Sequence, residues 1–139
     1  MIAAAFESEL PPGLDAPGVA RRLVADWLTP VLTESALATT RLLVSEIVTN
    51  AVCHGRGTIT LRARLFEDRL WVAVIDQGVG FEGESRKRDI KRRGPGGWGL
   101  RIVDAESSRW GVYRGAAHVW FELERSALRL EPCHPAGCG

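Results

Sequence analysis

Lysine is nearly absent: of 18 basic residues in this 139-residue chain only Lys87 and Lys91 are lysine, and the net charge is +1. So balanced a chain has no global electrostatic pull toward nucleic acid or an anionic membrane. Cysteine is scarce too, three in all, which excludes a disulfide framework. Cys53 falls within a helical pattern and reads as a small apolar filler. Cys133, His134 and Cys138 crowd the tail "EPCHPAGCG". Three ligands on no fixed element, with no fourth, do not make a structural zinc site, and a frayed Pro/Gly terminus is the better reading. Long hydrophobic runs are missing as well. No stretch reads as long and apolar enough to span a bilayer, and "MIAAAFESEL" lacks the basic and apolar regions of an export signal. A cytoplasmic location is the expectation.

What is present is ordinary for a globular domain: 45% hydrophobic and 25% charged residues. The length suits one domain, assigned here to residues 1–125, with 126–139 as an unstructured tail. "IAAAFESEL" permits a strand. "VARRLVADWL" repeats apolar residues at a helical period, and Pro30 ends it. Thr33 and Glu34 open a second helix that runs to Gly55, a natural residue just past a helix end. "TITLRARLF" and "RLWVAVID" read as a hairpin. "GGWGLRIVDAESS" gives a third helix, and "RWGVYRG" with "AHVWFELER" a closing hairpin. Three helices and four or five strands in this order predict an α+β sandwich, its mostly antiparallel sheet covered by helices on one face.

Three features carry chemistry. Glu46 and Asn50 stand one turn apart on the second helix and so share a face. In "DQGVGF", Asp76 ends an apolar strand, with Gly78 and Gly80 following. In "GPGGWGL", Gly94, Gly96, Gly97 and Gly99 lead into a helix. Each alone has an ordinary explanation: a solvated helix stripe, a turn after a strand, a flexible connection. Together they suit one ligand. A strand-end carboxylate accepts a hydrogen bond from an exocyclic amine such as that of adenine. Glycines opening a helix expose N–H groups to an anion. An Asn amide oxygen is a ligand for Mg²⁺, and a carboxylate one turn before it is placed to orient or deprotonate an attacking group.

"EIVTNAVCHG", "DQGVGF" and "GPGGWGLRIV" resemble, in order and spacing, the N box and the two glycine boxes of the GHKL ATPases, the superfamily of gyrase, MutL and histidine kinases. The likeness is closest to the stand-alone anti-sigma regulatory kinases of the RsbW type and covers roughly residues 1–125. It implies a Bergerat fold, a two-layer sandwich with a mixed, mainly antiparallel sheet. It implies Glu46 as catalytic base, Asn50 as Mg²⁺ ligand and Asp76 as the adenine contact. Gly78 and Gly80 then form the turn under the base, and Gly97, Gly99 and Leu100 the phosphate-side box. His54 and Gly55 take the usual end of the N-box helix. Many relatives carry a Thr before the last strand to support the adenine contact; here His118 holds that place. The basic stretch Arg86–Arg93 falls at the family's ATP lid, where a solvated loop, a triphosphate contact and a patch for an acidic partner all remain open.

The resemblance implies an ATP- and Mg²⁺-dependent serine/threonine kinase that binds a sigma factor and phosphorylates an anti-anti-sigma (STAS-type) partner, with a homodimer as one arrangement. The alternative class is an ATP-gated protein-binding module without phosphotransfer. Glu46 favours the kinase, since a pure binder needs no base. A histidine-kinase fragment is disfavoured because no dimerisation helix with a phospho-accepting histidine precedes the domain. A nucleic-acid binder is disfavoured because no aromatic is interleaved with the basic stretch.

Overall fold

In the computed structural model, which describes residues 2–77, 98–112 and 118–124, the chain runs through five strands and three α-helices. In order these are β1 (Ile2–Leu10), α1 (Ala16–Leu28), α2 (Glu34–His54), β2 (Ile59–Phe66), β3 (Arg69–Ile75), α3 (Trp98–Glu106), β4 (Arg109–Val112) and β5 (His118–Glu124). Gly78, Gly80, Gly97, the Arg86–Arg93 stretch and the tail with Cys133, His134 and Cys138 lie outside the described residues.

The sheet has the order β1-β2-β3-β5-β4, and every described pairing is antiparallel. The α+β reading therefore stands, with β3 central as its apolar sequence required. Alternation assigns the faces. Leu61 and Ala63 of β2, Leu70, Val72 and Val74 of β3, and Val119, Phe121 and Leu123 of β5 are buried in one cluster with the helices. The intervening residues, among them Arg62, Arg64, Trp71, His118 and Trp120, occupy the opposite face. There the Arg64 guanidinium lies over the Trp71 ring, 5.1 Å from its centroid.

Thr33 starts α2 as a cap: its backbone is extended and its hydroxyl accepts the Ala36 N–H at 3.0 Å. The helix then buries Ala36, Thr40, Leu43, Val44, Ile47, Val48 and Ala51. Two sequence expectations are corrected here. At 21 residues α2 is, by length and composition, apolar enough to cross a membrane; in this fold its buried side chains belong to the domain core. Cys53 is exposed rather than a core filler, because it falls off the buried stripe of the helix. On α1, Ala20, Val24 and Leu28 are buried, and Trp27 packs against the core over Phe6. These residues serve the core.

Candidate functional site

Glu46 and Asn50 are half-buried and flank the buried stripe of α2. They lie on the other side of that stripe from Ser45, whose hydroxyl takes a hydrogen bond from Arg21 of α1 at 2.6 Å. Two oxygen-bearing side chains are thus carried one turn apart on the side of α2 turned away from α1, at the edge of the core rather than in bulk solvent. Desolvation there is partial, so both groups keep their polar reach at low cost.

The end of α2 meets the end of β3. Asp76, half-buried, follows the last residue of the central strand. A Cβ placed on Gly55 would collide with the Asp76 Oδ2, so helix end and carboxylate are in direct contact. Gly55 itself is extended, φ −90° and ψ −172°, a conformation any residue adopts. Glycine is needed there for the close approach of Asp76, not for its dihedrals. The Arg56 N–H donates to Asp76 Oδ1 at 3.3 Å. Asn50 stands five residues before Gly55, about 7.5 Å along the helix axis. Asn50 is thus near the helix end that Asp76 meets, and Glu46 lies one further turn back on the same flank.

Gly99 and Leu100 lie in the first turn of α3, where backbone N–H groups lack intrahelical partners. α3 packs against α2. His54, the last residue of α2, is exposed.

His118 departs from its expected place. Its Cα pairs with Ile75, next to Asp76, yet its ring packs edge-on against Trp71 with centroids 6.0 Å apart. Strand alternation sends it to the sheet face opposite α2, away from Glu46 and Asn50. Burial, then the Arg62 and Arg64 charges, lower its pKa from 6.5 to about 4, so the ring is neutral at pH 7. The ring thus packs on the outer sheet face.

Sequence reasoning missed Gln77 and the turn it holds. The Gln77 N–H donates to the Arg56 carbonyl at 2.7 Å, and its side-chain Oε1 accepts the Thr58 N–H at 2.9 Å. Between these residues Gly57 adopts φ +69°, which favours glycine. Two glycines at alternate positions after a helix were the available signal.

Among the described residues no three His, Cys, Asp or Glu converge to hold a metal by themselves. The donor set at α2, one amide and one carboxylate, instead fits a cation that keeps its waters and takes its remaining ligands from a phosphate.

Comparison with known proteins identifies the family. Residues 10–116 match the family of the histidine kinase-like ATPase domain. The serine-protein kinase RsbW of Bacillus velezensis is 35% identical over 78 residues, 46% of this chain and 49% of that protein. The serine-protein kinase RsbW of Listeria innocua is 38% identical over 60 residues, 40% of this chain and 38% of that protein. The chain thus aligns with half or less of these curated relatives. A crystal structure of the RsbU and RsbW domains of a Mycobacterium tuberculosis protein superposes with a TM-score of 0.65. At 24% identity it covers 91% of this chain and 33% of that one, and supports the fold. The family match over residues 10–116, with the order of elements and the sheet topology, leads to one conclusion: the chain belongs to the histidine kinase-like ATPase domain family.

Proposed function

We propose that this protein binds ATP with Mg²⁺ and transfers the terminal phosphoryl group to a serine or threonine of an anti-anti-sigma partner. The observation that carries the reading is the placement of Glu46 and Asn50 on one flank of α2, with Asp76 fixed where that helix ends. The names of its relatives in Bacillus and Listeria, serine-protein kinases, support the same chemistry. In this reading Asp76 accepts the adenine amine, and Gly78 and Gly80 let the backbone approach the base. Gly97, Gly99 and Leu100 present N–H groups to the phosphates. Asn50 offers its amide oxygen to Mg²⁺, which when bound neutralises phosphate charge. Glu46 takes the proton of the attacking hydroxyl. Binding of a sigma factor, a cytoplasmic setting and a homodimer complete the proposal.

The test is incubation of the protein with labelled ATP, Mg²⁺ and STAS-type proteins encoded near it. Label on a partner serine or threonine supports the kinase. If no phosphate moves while ATP changes partner affinity, the protein is an ATP-gated binding module.

A further inference from the structure

The turn that follows α2 is locked onto the end of β3 from both sides. Gly55 touches the Asp76 carboxylate, and the Arg56 N–H donates to its Oδ1 at 3.3 Å. The Arg56 peptide is in turn held by Gln77, whose N–H donates to the Arg56 carbonyl at 2.7 Å. One residue further, the Gln77 side-chain Oε1 accepts the Thr58 N–H at 2.9 Å. Gly57 closes the arrangement: its φ is +69°, and a Cβ added to it would collide with that same Oε1. The Gln77 side chain lies where any other residue at 57 would place its own.

We infer that Gln77 is a positioning residue for Asp76, fixing the direction of the carboxylate and through it the discrimination of adenine from guanine. This inference rests on the reading of Asp76 as the nucleobase contact. Gln77 touches no base itself; its side chain holds the Thr58 amide, two residues beyond the Arg56 N–H that meets Oδ1, and so fixes the turn from which that N–H is presented. A carboxylate with one oxygen bonded to the turn and the other against Gly55 cannot swing aside. Held so, it rewards the amine of adenine and repels the carbonyl oxygen that guanine carries at the same position. Once the turn is loosened, the carboxylate rotates away from a guanine carbonyl, and the penalty against guanine falls. Discrimination is thus more sensitive to Gln77 than overall affinity is.

The experiment measures ATP and GTP dissociation constants by calorimetry for the wild type, Gln77→Leu and Gln77→Glu, with amide exchange at Thr58 followed in each. Gln77→Leu removes the acceptor at similar size; Gln77→Glu keeps an acceptor oxygen. Charge added at residue 77 lies beside the nucleobase contact Asp76 and can itself favour adenine, so Gln77→Glu is scored by Thr58 exchange and the nucleotide ratio is read from Gln77→Leu. In Gln77→Leu the Thr58 amide should exchange faster and the ATP preference should drop about tenfold, the scale of one hydrogen bond. Gln77→Glu should restore slow Thr58 exchange. The side chain is exposed, so thermal stability should change little. A Gln77→Leu protein with unchanged Thr58 exchange, or with fast exchange and an intact ATP preference, overturns the inference while leaving Asp76 as the base contact. Fast Thr58 exchange in both variants overturns the role of the acceptor bond. A wild type that binds ATP and GTP alike overturns the Asp76 reading, and this inference with it.

Discussion

Phe6 of β1 and Trp27 of α1 stack face to face, with ring centroids 5.2 Å apart and planes 11° from parallel. The pair ties the edge strand of the sheet to the first helix. Trp27 is only partly buried, so truncation leaves a shallow notch rather than a sealed cavity. Trp27→Ala should therefore cost about 2–4 kcal/mol, toward the low side of aromatic truncations. Urea unfolding checks this, and Trp27→Phe, which keeps a ring over Phe6, should recover about half.

Glu46→Gln retains size and hydrogen bonding but removes the base. ATP binding should persist, while phosphoryl transfer falls by roughly 10²–10⁴. Asn50→Ala should instead lower both Mg²⁺-dependent binding and transfer. Transfer at the wild-type rate by the Glu46→Gln protein would show that Glu46 is not the base.

Asp76→Asn should weaken ATP binding by about 1–3 kcal/mol, the range for a hydrogen bond to a charged group. The same change should narrow the gap between ATP and GTP, because the amide can present a donor to guanine. Calorimetry with both nucleotides reads the two effects separately. Equal affinity of the unaltered protein for ATP and GTP would refute the adenine assignment.

The neutral His118 ring makes stability depend on pH. Its folded pKa lies near 4, below the ordinary 6.5, so on acidification the unfolded chain takes up a proton first. Above about pH 6.5 His118 has no effect; between 6.5 and about 4 it progressively favours unfolding; below that the loss is complete. The ring is only partly buried, so after allowance for solvent screening the loss should be about 1–2 kcal/mol. Denaturant unfolding of the wild type and His118→Gln across this range tests the sign: the variant should lose less stability as pH falls.

Much of the fold was legible because its signals are local. The apolar period of α2, the Thr33 cap and the alternation of β2 and β5 each sit within a few adjacent residues. Glu46, Asn50 and Asp76 could be singled out for the same reason, one helical turn and one strand end being short patterns. The face of His118 was also legible, since Val119, Phe121 and Leu123 mark the buried parity that His118 breaks. Its assignment to the nucleotide came from a motif position, which does not carry that alternation. Cys53 erred by its position around the helix, where an apolar residue beside the stripe is exposed. Of the Gln77 turn only the alternate glycines Gly55 and Gly57 were legible: its bonds join residues about twenty positions apart, beyond the reach of periodicity.

The pairing of β1 with β2, Leu10 opposite Ile59, has a consequence for how the chain assembles. Two whole helices lie between these partners, so closing that ladder fixes a loop of about fifty residues, as does joining β3 to β5, whereas the β2–β3 hairpin closes almost at once. Early folding should centre on Ile59–Ile75, with both long closures following. The carboxylate at the end of β3 adjoins the open end of that hairpin, where Arg56 and Thr58 bond Asp76 and Gln77. Its surroundings therefore close with the early region, and a nucleotide seated there would hasten folding as well as slow unfolding.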